Sequence, residues 1–194
     1  RAQRSIGLDI GVRKRIPMGA GLGGGSSDAA ATIIGLNLLL QLEWSPTQMA
    51  DVGQSLGSDV PFFLFAPSSF VAGRGETVRP VVIEGRRWVV LVNPGFGVDT
   101  KWAYQELAAT RTAVTPLSPA HRKLDRQSRV SWTELVAAAE NDFEAPVFAA
   151  HEKLREIKRS LQDHGAEIAL LSGSGATVFG VFADEGRARL AQAH

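Results

Sequence analysis

Cysteine is absent from this 194-residue chain, which removes disulfides, thiolate metal ligands and cysteine nucleophiles from consideration. That absence fits a reducing compartment. An excess of one charge is missing too: 21 Lys and Arg against 20 Asp and Glu leave a formal net charge of +1, with no basic surplus pointing to nucleic acid or an anionic membrane. No apolar run reaches membrane-spanning length; stretches such as "IIGLNLLLQL" and "VPFFLFAP" are core-sized. The opening "RAQRS" has neither a starting methionine nor a charged leader ahead of an apolar run, a pattern expected of a fragment rather than a secreted precursor. The histidines (His121, His151, His164 and His194) are scattered without metal-ligand spacing, so surface or packing roles are expected and no metal site.

What is present suits a folded core: 44% of the residues are hydrophobic and 21% charged. "SIGLDIGVRKRIP" alternates Ile6, Leu8, Ile10 and Val12 with small or polar residues, which predicts a half-buried strand ending at Pro17. A glycine loop follows, then a largely buried helix from about Ser27 to Leu42. "SPTQMADVGQSLG" predicts a helix capped by Ser45, with Pro46 in its first turn and Gly57 beyond its end. Three apolar runs between Phe70 and Gly95 read as strands, and "DTKWAYQEL" and "SWTELVAAAENDF" as helices. Residues 110 to 131 between them read as a loose connection. "APVFAAHEKLREIKRSLQDHG" reads as one amphipathic helix closing on Gly165, and "AEIALLSGSGATVFGVF" as two strands flanking a glycine-serine turn. The class is α+β, with no internal repeat.

The stretch "GAGLGGGSSDAA" carries the most chemistry. Backbone N–H groups at a helix start lack intrahelical partners and carry partial positive charge. Glycines let an anion approach them closely, so strand, glycine loop and helix make a recipe for holding phosphate. Serine hydroxyls beside such a loop can cap the helix or help hold a phosphate-bound Mg²⁺. A purely structural turn is the alternative. Gly19, Gly21 and Gly24 also satisfy G-x-G-x-x-G, but "VRKRIP" places charges and a proline where a buried parallel strand would be needed. No lysine follows the glycines, so the Walker A pattern fails. A dinucleotide-dependent oxidoreductase is therefore a distant reading. Asp59, beside the apolar run "VPFFLF", is locally a turn former or N-cap, or a carboxylate held in a partly dry site.

"PMGAGLGGGSSDAA" resembles the phosphate-binding motif of the GHMP kinases, and "LGSDVPFFL" and "LSGSGATVFGVF" agree with that family in order and spacing. The tripled glycine before Ser-Ser-Asp, with "GSDVPFF" and "GRGE", is most similar to the branch acting in non-mevalonate isoprenoid synthesis. The resemblance implies a two-lobed fold: a ribosomal protein S5 domain 2-like ATP-binding lobe over residues 1–80 and a ferredoxin-like lobe over 81–194. It implies ATP as co-substrate with Mg²⁺, and a cytidine-diphosphate-linked methylerythritol as acceptor, in a cytoplasmic enzyme. Pro17, Met18, Gly19, Ala20, Gly21, Leu22, Gly23, Gly24, Gly25, Ser26 and Ser27 would contact ATP, and at Gly23 added bulk would enter the phosphate site. Asp59 falls on the family's catalytic aspartate, implied to orient and deprotonate the attacking hydroxyl. Thr100, Gly173, Ser174 and Gly175 are implied substrate contacts, and "NDFE", Asn141 to Glu144, is assigned a fold role. The family pattern also has an earlier segment with a Pro-Ala-Lys triplet, and a tail, that this sequence does not contain. A kinase incomplete at both ends, inactive in isolation, is thus expected. The alternatives are another GHMP-type kinase or a non-catalytic nucleotide-binding module.

Overall fold

The computed structural model describes residues 7–65, 67–111 and 116–193. They form two compact units: one holds the described residues up to Ile16 together with Gly23–Val81, the other Pro17–Leu22 together with the described residues from Val82 onward. The glycine-rich stretch is where the chain leaves the second unit for the first. The sequence reading groups Pro17–Leu22 with their neighbours on both sides; the structure packs them with the later residues.

In the first unit, α1 (Gly24–Leu39) begins inside the glycines, three residues earlier than expected. It is not largely buried: Ala30 and Ile33 face a small core with Val60, while Leu38 and Leu39 are exposed. Its apolar residues lie all round the helix, and one small core covers only one side. α2 (Pro46–Leu56) has the expected cap. Ser45 Oγ accepts from Gln48 N–H (3.3 Å), Gln48 Oε1 accepts from Ser45 N–H (2.9 Å), and Gly57 ends the helix. A 3-10 helix (Pro61–Leu64) follows, then the antiparallel hairpin β1 (Ser69–Ala72) and β2 (Thr77–Pro80). The strand expected from Ile6 to Val12 is not formed. Ile6 lies outside the described residues; Leu8, Ile10 and Val12 are exposed, and no described strand pairs with this segment. Alternation supplies an apolar face but not the partner that the backbone N–H and C=O groups need.

In the second unit, β3 (Val82–Glu84) pairs in parallel with β5 (Arg129–Ser131), and β4 (Trp88–Val92), β7 (Val178–Phe182) and β6 (Ile168–Leu171) form an antiparallel sheet in that order. α3 (Thr100–Thr110) is capped by Asp99, whose Oδ1 accepts from Trp102 N–H at 2.7 Å. The connection expected to be loose holds α4 (Pro119–Leu124) and β5, although 112–115 lie outside the described residues. Ser118-Pro119 is the same Ser-Pro start as Ser45-Pro46, and surrounding charges disguise it. α5 (Trp132–Ala137) stops short of "NDF". The single long helix is two, α6 (Glu144–Ala150) and α7 (Glu152–Asp163), broken at His151 (φ −134°, ψ 78°). There the His151 ring lies against Phe96 and Trp102, with centroids 5.3 and 5.8 Å away, so side-chain packing overrides local helix propensity. α7 buries Leu154 and Leu161 under the sheet, among Phe182, Leu171 and Val178, and α8 (Glu185–Ala193) adds Ala188. Among the described residues no helix is long and apolar enough to cross a membrane.

Candidate functional site

The candidate residues fall into two groups, one in each unit. In the first, α1 starts without a side-chain cap: Gly23, in the left-handed region at φ +63°, occupies the N-cap position. The first intrahelical bond is Ser27 N–H to Gly23 O (2.9 Å), so the N–H groups of Gly24, Gly25 and Ser26 are not used by the helix. A helix of 16 residues presents the positive end of its dipole here. Lys14 pairs with Asp28 at the side of this turn. The glycines have different reasons to be glycine. A Cβ at Gly23 would lie 2.7 Å from the Phe63 ring, and one at Gly24 2.9 Å from Ile16. At Gly25 it would meet nothing within 4 Å. The expectation that bulk at Gly23 would enter a phosphate site is therefore corrected: Phe63 fills that space, and Gly25 opens outward.

Asp59 is exposed, and its described partner is the Ser58 hydroxyl, at 3.3 Å. It does not cap the 3-10 helix, whose N-cap is Val60 without a side-chain bond. The carboxylate is left available to a ligand. The backbone behind it is set by the hairpin turn of "GRGE". Gly75, buried at φ +100°, lies so close that a Cβ would meet Ser58 O at 2.1 Å.

In the second unit, Pro17–Leu22 run beside the turn between β6 and β7. Gly19 O accepts from both Val98 N–H and Ala176 N–H (3.3 Å each), Ala20 O from Thr177 N–H (3.1 Å), and Gly21 O from Ser172 Oγ (2.8 Å). A Cβ at Gly21, itself at φ +71°, would sit 1.9 Å from Ser172 O, so this glycine exists for close approach of two backbones. Met18 projects outward, 84% exposed, and Ala20 is buried. Thr100 and Ser174 are brought together, their hydroxyls sharing a hydrogen bond at 3.0 Å. Thr100 and Gly173 are exposed, whereas Ser174 and Gly175 are buried, Gly175 against Leu171 and Val98.

Sequence reasoning marked the Ser172–Thr177 turn, but neither the bond from Ser172 Oγ to Gly21 O nor the spaces filled by Phe63 and Ile16. These are contacts between residues far apart in the chain. Among the described residues no group of three or more His, Asp or Glu could hold a metal ion. His121 contacts Ser118 and Glu140, His164 Nδ1 contacts Ser160 O, and His194 lies outside the described residues. A cavity of about 400 Å³ is bordered by β4 and α8, and no candidate residue lines it.

Residues 1–66 match the GHMP kinases N terminal domain, and residues 120–194 match the GHMP kinases C terminal domain. The chain belongs to the GHMP kinase family. A 4-diphosphocytidyl-2-C-methyl-D-erythritol kinase of Geobacter sp. (strain M21) is 41% identical over 191 residues, covering 98% of this chain and 65% of that protein. Its namesake in Syntrophotalea carbinolica is 44% identical over 193 residues, covering 98% and 66%. A crystal structure of 4-(cytidine 5'-diphospho)-2C-methyl-D-erythritol kinase superposes with a TM-score of 0.72 at 32% identity, covering 92% of this chain and 63% of that one. The homoserine kinase of Cytophaga hutchinsonii also reaches 0.72, at 18% identity, a likeness of GHMP kinase fold alone. The chain thus spans a little under two thirds of these relatives.

Proposed function

We propose that the protein carrying this chain is an ATP-dependent kinase that phosphorylates the 2-hydroxyl of 4-(cytidine 5'-diphospho)-2-C-methyl-D-erythritol. The observation that carries the reaction is the uncapped start of α1, with N–H groups that no described residue engages and an open Gly25, in the same unit as an exposed carboxylate that no described backbone group engages. The names of the relatives supply the acceptor.

ATP phosphates would be held by the N–H groups of Gly24, Gly25 and Ser26 at the start of α1. The acceptor oxygen forms a new bond to the γ-phosphorus as the bridge to the β-phosphate breaks and ADP leaves. Asp59 orients the hydroxyl and accepts its proton. Among the described residues no acidic cluster could cage Mg²⁺, so the ATP phosphates and the Ser26 and Ser27 hydroxyls would hold it; when bound it neutralises phosphate charge. Thr100, Gly173, Ser174 and Gly175 would contact the acceptor. On this reading residues up to about 80 serve ATP, except Asp59, which acts on the acceptor hydroxyl, and Thr100 and Gly173–Gly175 serve the acceptor.

The test is ADP release by the protein carrying this chain, with and without the cytidine-linked alcohol. Release that depends on this alcohol is expected. Nucleotide binding with no transfer would favour a binding module, and transfer to a different alcohol another GHMP-type kinase.

A further inference from the structure

Asn141 has no role in the reaction proposed above, yet every part of its amide is used. Its Nδ2 donates to Leu171 O and to Gly173 O, each at 2.8 Å, and its Oδ1 accepts from Phe143 N–H at 2.9 Å. Three residues on, Glu144 Oε1 accepts from Leu171 N–H (2.9 Å), while its Oε2 holds Lys158 (2.5 Å). One short segment thus takes both backbone groups of Leu171, the last residue of β6, and the first carbonyl of the glycine turn. Two residues beyond Leu171, the chain must reverse through Gly173 and Gly175, at φ +55° and +99°. Glycines hold such a path weakly, because they have the most freedom to lose. Ser174, between them, keeps its bond to Thr100 only if that path is fixed.

We infer that Asn141 is a positioning residue: its amide sets the Gly173–Gly175 turn, and so the Ser174–Thr100 hydroxyl pair, for the acceptor substrate. The inference rests on the kinase reading for its substrate but not for its geometry. Donation is the necessary property. Asp at this position has nearly the same shape and can still accept from Phe143 N–H, but its carboxylate faces two carbonyl oxygens with no hydrogen to offer. A residue that merely fills space would tolerate that exchange.

The experiment compares Asn141→Asp and Asn141→Ala with the parent in the protein carrying this chain, measuring steady-state kinetics, ATP affinity and melting temperature, with amide exchange at Gly173–Gly175. Both variants should lose about tenfold or more in kcat/KM for the acceptor while the Kd for ATP changes less than about threefold. Exchange at the turn amides should accelerate selectively. Asn141→Asp with parental kcat/KM and exchange would overturn the inference, as would loss of fold in both variants, since the residue would then serve folding alone. If the parent transfers no phosphate, the kinase reading fails by itself; the turn-amide exchange still decides for or against the role of Asn141.

Discussion

Alanine at Gly25 separates ligand approach from folding. A methyl group there meets no atom within 4 Å and sits in the first turn of α1 at an ordinary helical angle. Exchange of Gly for Ala in a helix gains up to about 0.5–1 kcal/mol. For a chain of this size the melting temperature should hold steady or rise by up to about 3 °C. If ATP phosphates lie against the Gly24, Gly25 and Ser26 N–H groups, the same methyl displaces them. Loss of one hydrogen bond to a charged group is about 1.5–3 kcal/mol, or roughly 10- to 150-fold in affinity. Gly23→Ala is the contrast. It places a side chain at φ +63° and a Cβ 2.7 Å from the Phe63 ring. The left-handed angle alone costs about 1–2 kcal/mol, so this variant should melt at least about 2 °C lower. Calorimetric titration with a non-hydrolysable ATP analogue, beside thermal melts of both variants, reads the two effects. A Gly25→Ala protein with parental affinity and an unchanged or higher melting temperature would show that no phosphate comes close to this helix start.

Asp59→Asn should lower kcat by roughly 100-fold or more with little change in ATP affinity, because the carboxylate is proposed to act on the acceptor proton; near-parental turnover would remove it from the chemistry. Thr177→Val should raise stability by about 1–2 kcal/mol in chemical denaturation, since the Thr177 hydroxyl is fully buried without a hydrogen-bond partner among the described residues; a destabilised variant would mean that the hydroxyl is satisfied. Glu134 is held well below the usual carboxylate range by Lys123, then by Gln127 and Ser131. Its contribution is complete above the unfolded value of about 4.3 and is lost as pH falls through the depressed folded value, so acid should lower the parent's melting temperature more than that of Glu134→Gln. Parallel acid profiles for the two proteins would refute that linkage.

Local signals were legible where one segment contains both the cause and the effect. Ser45, Pro46, Gln48 and Gly57 specify the two ends of α2 within a dozen residues, and the structure forms that helix with its capping box. "SGSGAT" between two β-rich runs likewise specifies a reversal, and β6 and β7 pair across it. The misreadings share one physical source. Leu8, Ile10 and Val12 have a strand's period, but a strand exists only when another segment satisfies its backbone, and that is not written in the period. "APVFAAHEKLREIKRSLQDHG" has helix propensity throughout, yet His151 is drawn onto Phe96 and Trp102, which lie some fifty residues earlier in the chain.

The same distinction governs the glycine stretch. Its residues share a composition but not a cause. Gly19 is fixed against the backbone of Gly97, Val98 and Ala176, and Gly21 against that of Ser172 and Gly175, all distant in sequence and invisible in any local motif. Gly23 and Gly24 make room for Phe63 and Ile16, so they serve the seating of α1. Gly25 alone among these five has open space where its side chain would be. A phosphate-loop reading drawn from glycine count therefore assigns to the ligand what is mostly backbone and side-chain packing. The count is still informative, because the packing is what leaves the α1 start uncapped and its N–H groups unused. Gly21→Ala should accordingly fail by unfolding, since a Cβ cannot lie 1.9 Å from Ser172 O, whereas Gly25→Ala should fail, if it fails, in the folded state.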